Sequence, residues 1–431
     1  MFYPFVPVLL LRTLVAGTAL GLVACAAKPL AESYAPQPAS SASQSTAEAP
    51  TAGAPAALPL PGFAEWRDQF RQQALAAGIS PRVFDEAFAG VTPDPTVITA
   101  DRSQPEFTRP VWAYLDGALS TQRVERGKRL LTEHADTLAR IEDRYGVDRQ
   151  VLVAVWGLES SFGQIMGDKS VIRSLATLAH EGRRPEFART QLLAALQILQ
   201  SGDVRPERMR GSWAGAMGQT QFIPTTYNTH AVDFDGDGRR DIWGSAADAL
   251  ASAAHYLQAS GWSLHQPWGT EVRLPSGFDY ALADASIRKP LGDWRALGIA
   301  GIPDGDDSAQ ASLLLPAGHR GPAFLVLDNF RSILRYNNSS SYALAIGLLA
   351  DRFRGRGEVA GEWPRDEQPL SRSERLELQE RLARQGYDPG TADGIIGANT
   401  RKAIRGFQQT LGWPADGHPT QELLGRLRAR P

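Results

Sequence analysis

The chain has 431 residues, of which 43% are hydrophobic and 21% are charged, and it contains one cysteine. This length and apolar content predict two or three domains with sizeable cores, and they exclude a chain that is disordered throughout. The formal net charge of -2 at pH 7 gives no indication of nucleic-acid binding, and a single cysteine excludes both a disulfide framework within the chain and a Cys-rich metal site.

Residues 1–24 are typical of a signal peptide for export. Arg12 is their only charged side chain, and the apolar run Leu14–Val23 follows it. That run is suited to a signal-peptide core, but it is too short for a membrane-spanning helix, which needs about 20 apolar residues. We therefore expect this segment to direct the chain out of the cytoplasm.

The only cysteine of the chain lies at the end of this apolar run. The sequence Leu22-Val23-Ala24-Cys25 resembles a bacterial lipobox, in which the peptide bond before the cysteine is cut and the thiol carries a lipid. We therefore predict that Cys25 is a lipid anchor; an ordinary cleaved signal with a chance cysteine is the alternative. Ala26 in place of Asp favours the outer membrane, so the expected location is the periplasm, on the inner leaflet of that membrane.

Two stretches of distinct composition divide the rest of the chain. Residues 25–61 are rich in Ala, Pro and Ser and have too few large apolar side chains to bury a core, which predicts a flexible tether. Residues 355–370 carry Gly, Pro and mixed charges and are predicted to be a linker. The segment between them, 62–354, is the expected catalytic domain, and 371–431 is a compact module of about 60 residues, near the lower limit for independent folding.

Apolar spacing predicts a mainly helical body with a small β-containing portion. The predicted helices are Phe63–Ala76, Gly127–Arg144, Asp148–Glu159, Glu186–Gln200, Ser245–Ala259 and Ser341–Phe353. Between Gly269 and Leu327 the pattern changes to short strand-like pieces, among them Ser312–Leu315 and Ala323–Leu327. The expected fold class is therefore α+β, with helices predominating.

One acidic residue follows a helix that is apolar on every face. Asp148 can cap this helix, and Val151–Trp156 are all apolar, which predicts that the helix is buried. The helix leads into the segment Glu159–Gly163. A carboxylate at the end of a buried helix is partly desolvated, which raises its pKa and suits it to donate and then accept a proton in glycoside cleavage. The alternative is a glutamate that pairs with an arginine or emerges into solvent.

Two later segments have the residue types of a saccharide groove. In Gly211–Tyr227, alternating small residues allow backbones to approach closely, and Gln221 offers an amide that could orient a sugar acetamido group. In Leu334–Tyr342, two tyrosines and an amide lie beside the start of a helix. Aromatic faces and amides are common in saccharide sites; a capped loop is the alternative for a single stretch of this kind.

Taken with His180–Arg184, these segments occur in the order found in a known enzyme family. Over roughly residues 62 to 353 the chain resembles the lytic murein transglycosylases of the membrane-bound B type, glycoside hydrolase family 103, within the lysozyme-like superfamily. The resemblance implies a lysozyme-like catalytic body in which Glu159 is the sole catalytic acid and base. It also implies glycan contacts at Ser212, Gln221, Tyr256, Tyr336, Asn337 and Tyr342.

The reaction implied by the resemblance cleaves the MurNAc–GlcNAc β-1,4 bond of peptidoglycan without water. Glu159 would protonate the leaving oxygen and then deprotonate the C6 hydroxyl of the muramic acid, giving a 1,6-anhydro end. Hydrolytic glycosidases normally use two carboxylates, and the sequence offers no second acidic motif of comparable context. A hydrolytic muramidase and a non-catalytic peptidoglycan-binding scaffold remain the alternatives. A zinc amidase or peptidase is disfavoured because the seven histidines are scattered.

The segment 233–244 has the spacing of an EF-hand calcium loop. Aspartates occupy positions one, three, five and nine, and glycine occupies position six. Position twelve is Gly244 in place of the usual glutamate, so Asp248 is predicted to complete the ligand set; its alternative role is helix capping with Ser245. The predicted site binds Ca²⁺ in a structural role, and a solvated acidic turn is the alternative. The predicted residues are Asp233, Asp235, Asp237, Arg239, Asp241 and Asp248.

The C-terminal residues 371–431 are predicted to form three short helices joined by glycine turns. Apolar residues recur at three- and four-residue spacing, as in Leu378–Leu382 and Leu423–Leu427. The segment resembles the peptidoglycan-binding domain type 1, which implies that it binds the polymer and raises the local concentration of substrate. The expected partners are thus peptidoglycan glycan strands and, through Cys25, a membrane.

Overall fold

The computed structural model describes residues 62–102 and 109–430, and this part of the chain is mainly helical with small antiparallel sheets. Its helices are α1 (Phe63–Ala76), α2 (Pro81–Ala87), α3 (Pro95–Arg102), α4 (Val111–Ala118), α5 (Thr121–Glu133), α6 (Ala135–Tyr145), α7 (Arg149–Ser160), α8 (Val171–Glu181), α9 (Pro185–Ser201), α10 (Pro224–His230), α11 (Ala246–Ala259), α12 (Leu291–Ala296), α13 (Asp328–Tyr336), α14 (Ser340–Phe353), α15 (Arg372–Arg384), α16 (Ala398–Thr410) and α17 (Gln421–Arg428). Its strands are β1 (Lys169–Ser170), β2 (Arg210–Gly211), β3 (Gly269–Val272), β4 (Lys289–Pro290), β5 (Gln310–Leu314) and β6 (Ala323–Val326).

The predicted signal peptide, the tether and Cys25 lie outside the described residues. Within the described ranges, none of the helices combines the length and the apolar character that crossing a membrane requires.

Helix α7 lies at the centre of the largest hydrophobic core, as its apolar sequence predicts. Val151 to Trp156 are all buried, and the helix packs against α5, α11 and α14. Asp148 occupies the predicted capping position, but its carboxylate makes no capping hydrogen bond to the helix. It accepts hydrogen bonds from Nε1 of Trp262 (3.2 Å) and from Arg354 (3.1 Å), so it ties the start of α7 to neighbouring segments.

The segment Gly127–Arg144, predicted as one helix, is divided in the structure. α5 ends and α6 begins at His134, whose φ of -101° and ψ of 22° are not helical. The His134 ring lies edge-on to Trp156 of α7, with ring centroids 5.5 Å apart. The spacing of apolar and polar residues is that of a helix on both sides of His134. The break therefore depends on tertiary packing, which the periodicity of the sequence does not reveal.

A second core lies between α1, α2, α8 and α9. α8 and α9 form an antiparallel pair, and small residues such as Ala176 and Ala195 are fully buried within this core. The strands β1 and β2 pair beside α8, with Lys169 opposite Gly211. This pairing brings the segment after α7 next to the start of the glycine-rich segment that precedes α10, and those two segments form much of the candidate site.

The β-containing portion is a four-stranded antiparallel sheet with the order β3-β6-β5-β4. β5 and β6 confirm the two predicted strands within one or two residues at each end. One face of the sheet covers a separate core that includes the fully buried Trp294, whose Nε1 donates to the carbonyl of Ala311 (3.1 Å). The predicted class, α+β with helices predominating, agrees with this architecture.

Helices α15, α16 and α17 form the C-terminal module around a small apolar core, as predicted. Ser371 and Glu374 form a reciprocal capping box at the start of α15. The module contacts the body through charged side chains: Asp416 accepts from the backbone N–H of His319 (2.8 Å) and lies 2.6 Å from Nδ1 of the same residue. Arg405 also pairs with Asp284.

Candidate active site

Glu159 lies in the last turn of α7, where the helix ends abruptly. Ser161 and Phe162 have positive φ angles of 49° and 59°, and Gly163 continues the turn with a φ of 78°. The hydroxyl of Ser160 accepts a hydrogen bond from the N–H of Gly163 (2.9 Å) and donates to the carbonyl of Gln219 (2.8 Å). Left-handed backbone at non-glycine residues is strained, and such strain is often concentrated at functional sites.

The side chain of Glu159 is half-buried, and Tyr342 is its hydrogen-bond partner among the residues that the structure describes. Tyr342 Oη donates to Oε1 of Glu159 over 2.6 Å. Burial raises the pKa of Glu159 to about 7, and the Tyr342 hydrogen bond, which favours the charged form, opposes this rise in part. Near neutral pH the carboxyl is therefore able both to donate and to accept a proton, as the end of a buried helix led us to expect.

Within residues 62–102 and 109–430, no second carboxylate is among the groups that shift the pKa of Glu159. A pair of catalytic carboxylates close enough to share a substrate would raise the pKa of one member through repulsion. The arrangement is thus that of a single acid–base group in the last turn of a hydrophobic helix, with a hydrogen bond from a tyrosine.

The predicted tyrosines Tyr256 and Tyr336 pack against each other, and Tyr336 lies near the charge of Glu159. The rings of Tyr256 and Tyr336 meet edge to face at 5.1 Å, and each lies 5.8 Å from the ring of Phe222. Tyr336 donates to the carbonyl of Thr220 (2.7 Å), and Tyr256 donates to a backbone carbonyl of α13 (2.5 Å). Burial and the nearby charge of Glu159 raise the pKa of Tyr336 well above its usual range, so these hydroxyls remain protonated.

The amide of Gln221 is oriented by the backbone around it. Nε2 donates to the carbonyls of Met166 (3.1 Å) and Gly218 (2.8 Å), while Gln221 itself has a φ of 51°. The two backbone acceptors identify the end of the amide that carries the NH2 group. Oε1 is therefore left to accept a hydrogen bond, and the N–H of a sugar acetamido group is a suitable donor.

The remaining predicted glycan contacts, Ser212 and Asn337, differ in the hydrogen bonds that they form within the protein. The hydroxyl oxygen of Ser212 accepts from the N–H groups of Ala214 (3.2 Å) and Ala216 (3.0 Å), which leaves its proton available to a ligand. Asn337 is half-buried at the end of α13, directly after Tyr336, and its backbone rather than its side chain caps the helix. Ser212 lies in the same chain segment as Gln221, and Asn337 lies in the same segment as Tyr336.

In the acidic loop, carboxylate oxygens of Asp233, Asp235 and Asp248 lie within 4.8 Å of one another. Asp248 is fully buried, and its two oxygens accept from the N–H groups of Phe234 and Asp241, each over 2.8 Å. Burial raises the pKa of Asp248 in the absence of a cation. Three converging carboxylates in a loop of this shape fit a hard cation such as Ca²⁺.

The carboxylates of Asp237 and Asp241, which also belong to the predicted ligand set, lie outside this cluster. Asp237 pairs with the guanidinium of Arg239 (2.8 Å) at the exposed tip of the loop. Asp241 accepts instead from the backbone N–H groups of Trp243 (3.0 Å) and Gly244 (2.8 Å).

The capping role considered for Asp248 is only half present. The Ser245 hydroxyl accepts from the N–H of Asp248 (3.2 Å), but the Asp248 carboxylate is directed to the loop and not back to Ser245.

Comparison with known proteins agrees with this geometry. The family model described as a transglycosylase SLT domain matches residues 62–351. The chain belongs to the transglycosylase SLT domain family. A second model, of a peptidoglycan binding domain, matches residues 371–427.

Two solved structures are similar to this SLT domain protein. SltB3 from Pseudomonas aeruginosa, crystallised in complex with NAG-anhNAM-pentapeptide, is 67% identical with a TM-score of 0.84, over 85% of this chain and 99% of that chain. The lytic transglycosylase SLT35 of Escherichia coli, in complex with calcium, is 27% identical with a TM-score of 0.60, over 67% of this chain and 92% of that one. The predicted lysozyme-like fold is thereby confirmed.

A curated relative from Escherichia coli strain K12 is the membrane-bound lytic murein transglycosylase B. It is 33% identical over 245 residues, which is 54% of this chain. The match spans 64% of the length of that relative, slightly less than two thirds.

Sequence reasoning missed one polar residue at the centre of this SLT domain. Gln219 is buried, and its side chain joins Nε1 of Trp156 (2.8 Å) to the carbonyl of Trp243 (3.2 Å). The signal in the sequence was a large polar side chain directly after the segment 215–218, which contains two glycines and an alanine. A polar side chain that is buried there requires hydrogen-bond partners.

Proposed function

We propose that this protein is a lytic transglycosylase that cleaves the MurNAc–GlcNAc β-1,4 bond of peptidoglycan without water and forms 1,6-anhydro-MurNAc ends. The observation that carries the proposal is the carboxyl of Glu159, with a pKa of about 7 and a hydrogen bond from Tyr342. The SltB3 relative was crystallised both with NAG-anhNAM-pentapeptide and with NAG-NAM-pentapeptide, which supports the same chemistry here.

In the first step the protonated Glu159 gives its proton to the glycosidic oxygen as the bond from C1 of MurNAc breaks. The electron pair of that bond leaves with the protonated oxygen, and positive charge develops at C1. Tyr342 then donates to the newly formed carboxylate, which a charge-assisted hydrogen bond stabilises more strongly than it stabilises the neutral acid.

In the second step the Glu159 carboxylate accepts the proton of the C6 hydroxyl of the same MurNAc. The C6 oxygen forms a bond to C1, which closes the 1,6-anhydro ring and restores the acid form of Glu159. No water is consumed, and one carboxyl completes both proton transfers. In this proposal Oε1 of Gln221, whose Nε2 is held by two backbone carbonyls, accepts from the 2-acetamido N–H and orients that group toward C1.

The glycan contacts in this proposal are Ser212, Gln221, Tyr256, Tyr336, Asn337 and Tyr342. Ser212 supplies a free hydroxyl proton, and the tyrosine rings supply apolar faces beside the acid. The C-terminal module contributes a second, separate attachment to peptidoglycan. Attachment of this kind raises the effective concentration of glycan strands at the catalytic domain.

We further propose that Ca²⁺ binds at Asp233, Asp235 and Asp248 and has a structural role. The convergence of their oxygens supports this assignment, as does the calcium complex of SLT35. Bound there, the cation neutralises the clustered carboxylates and takes no part in glycosidic bond cleavage. The chain's own carboxylates hold the loop against α11 in either case.

For cellular location, we propose a periplasmic lipoprotein attached through Cys25 to the inner leaflet of the outer membrane. The lipobox-like sequence supports it, and the K12 relative is named as membrane-bound. In this proposal the chain consists of a signal peptide (1–24), a tether (25–61), a catalytic domain (62–354), a linker (355–370) and a peptidoglycan-binding module (371–431).

Digestion of purified peptidoglycan tests the proposed reaction, with products weighed by mass spectrometry. We expect anhydro-ended muropeptides from the wild-type protein and none from Glu159→Gln. The matched control is Glu181→Gln, because Glu181 also ends a helix but is exposed. Reducing ends would indicate a hydrolytic muramidase, and no products from the wild-type protein would indicate a scaffold; either result would overturn the proposal.

A further inference from the structure

All four hydrogen-bonding groups of the buried Gln219 are engaged, and two of them hold the end of α7. Oε1 accepts from Nε1 of Trp156 (2.8 Å), and the backbone carbonyl accepts from the hydroxyl of Ser160 (2.8 Å). Trp156 lies one helical turn before Glu159, and Ser160 directly follows it. Gln219 therefore contacts the catalytic helix on both sides of the acid.

The other two groups of Gln219 hold the exit of the acidic loop. The backbone N–H donates to the carbonyl of Ile242 (2.9 Å), and Nε2 donates to the carbonyl of Trp243 (3.2 Å). These two residues follow Asp241, whose N–H donates to the carboxylate of Asp248 (2.8 Å). Hydrogen bonds and the backbone of residues 241–243 thus connect the carboxylate cluster with the end of α7.

We propose that Gln219 is a positioning residue that transmits the conformation of the acidic loop to the carboxyl of Glu159. This inference rests on the proposed function of Glu159 as the acid and base. Displacement of a reacting group by about 1 Å can reduce a rate by about 100-fold. A residue that fixes the helix on both sides of the acid is therefore able to control the rate without touching substrate.

Two neighbouring features show that Gln219 lies close to the segments that carry Glu159 and Tyr336. A Cβ atom on Gly163 would lie 2.6 Å from Oε1 of Gln219, so the backbone after the acid approaches this amide closely. The next residue, Thr220, accepts the hydrogen bond of Tyr336 on its carbonyl (2.7 Å). The successive backbone carbonyls of Gln219 and Thr220 thus accept from Ser160, directly after Glu159, and from Tyr336.

The first experiment replaces Gln219 by a side chain of similar size that cannot form these hydrogen bonds. The variant is Gln219→Met, and its matched control is Gln191→Met. Gln191 is another buried glutamine, but it accepts from Thr225 in the core between α9 and α10. Carbon-13 NMR titration of the glutamate carboxyls, without substrate, gives the pKa of Glu159, whose resonance the Glu159→Gln variant identifies.

For Gln219→Met we expect water to reach the loosened helix end, so that the pKa of Glu159 falls from about 7 toward its ordinary value of 4.5. We also expect kcat on purified glycan strands to fall by about 10- to 100-fold, with KM changed by less than about 2-fold. Ser160→Ala removes one contact of Gln219 together with the hydrogen bond from the N–H of Gly163, and it should shift both quantities in the same direction. An unchanged pKa and kcat, or equal changes in Gln191→Met, would overturn the assignment.

The second experiment tests the connection to the loop by a double-mutant cycle with Asp248→Asn. If the loop acts through Gln219, the loss of kcat caused by Asp248→Asn is about 5-fold or more smaller when Gln219→Met is already present. Losses that simply multiply would show that the loop does not act through this residue. Failure of the proposed function is a separate result, because it would appear as retained activity in Glu159→Gln.

Discussion

The hydroxyl of Tyr342 donates a hydrogen bond of 2.6 Å to Oε1 of Glu159, although the two residues are 183 positions apart in the chain. Tyr342 is in the first turn of α14, which Ser339 caps through the N–H of Tyr342 (3.3 Å). α14 packs directly against α7, so the core fixes the distance between hydroxyl and carboxyl. Burial and this hydrogen bond together give Glu159 a pKa of about 7, so that both its protonated and its ionised form are populated near neutral pH.

Activity should decline as the pH rises through about 7. The first step requires the protonated form of Glu159, whose pKa is about 7 because of burial, and this form is lost above that pH. The pH profile of kcat/KM on purified glycan strands measures this limb. A limb near the ordinary glutamate pKa of 4.5 would show that Glu159 is hydrated in the working enzyme.

Tyr342→Phe should move this limb to higher pH and lower the rate. The tyrosine hydroxyl stabilises the carboxylate, so its removal raises the pKa of Glu159 further. It also removes a charge-assisted hydrogen bond to the carboxylate formed in the first step, worth about 1.5–3 kcal/mol, which corresponds to about a 10- to 100-fold loss of kcat.

The control for this variant is Tyr145→Phe. Tyr145 is buried in the same core, but its hydroxyl has no hydrogen-bond partner among residues 62–102 and 109–430. Its pH limb should coincide with that of the wild-type protein. A shift of the limb to lower pH in Tyr342→Phe would contradict the role of this hydroxyl.

The position and environment of Glu159 could be predicted from sequence because the signals are local. An unbroken apolar segment must be buried, and a carboxyl at its end must lose water. The tyrosine that binds the carboxyl could not be paired with it in this way. That pairing depends on how α14 crosses α7, and helix crossing is decided by side-chain packing along both helices.

Other differences between prediction and structure have the same origin. Asp148 has the position of a helix cap, but Trp262 and Arg354 provide stronger donors from distant segments. Asp241 has the spacing of a calcium ligand, yet it closes a turn of its own backbone. Local sequence patterns identify residues that are able to cap a helix or to bind a cation. Contacts with distant segments determine which of these roles a residue takes in the folded chain.

Gly163→Ala should lose more activity and stability than a glycine substitution with the same backbone strain elsewhere. Gly163 and Gly355 have φ angles of 78° and 81°, so alanine costs about 1–2 kcal/mol at either position. Only at Gly163 does the added Cβ meet the amide of Gln219, at 2.6 Å, while Gly355 has open space around it. Thermal unfolding and initial rates compare the two; equal losses of activity would contradict the importance of this contact.

Calcium should stabilise the protein through the Asp233, Asp235 and Asp248 cluster. At about 100 times its dissociation constant, a ligand of the folded state adds about 3 kcal/mol to the free energy of unfolding. Asp248→Asn removes one of the converging carboxylates, so the rise in Tm on adding Ca²⁺ should shrink or disappear. Asp143→Asn, at an exposed helical position, should keep the full rise. An undiminished rise in Asp248→Asn would place the cation elsewhere.

Contact between the C-terminal module and the body should weaken at acid pH through Asp416. Burial alone would raise its pKa, but hydrogen bonds from His319, His418 and Gln408 outweigh burial and lower it to about 2. The ordinary value is 3.8, so Asp416 contributes about 2 kcal/mol of stability above pH 4, and this contribution is lost as the pH falls from about 4 toward 2.

Asp416→Asn tests this contribution by hydrogen–deuterium exchange of the amides in α16. At pH 6 we expect faster exchange in the variant than in the wild-type protein, because the amide holds its donors less strongly than the carboxylate does. Near pH 2.5 the difference should be clearly smaller, since the wild-type carboxyl is then partly protonated and most of its stabilising contribution is lost. Asp304→Asn, at an exposed position, should match the wild-type protein at both pH values. A difference between Asp416→Asn and wild type that persists unchanged at pH 2.5 would mean that the charge of Asp416 is not what secures the module.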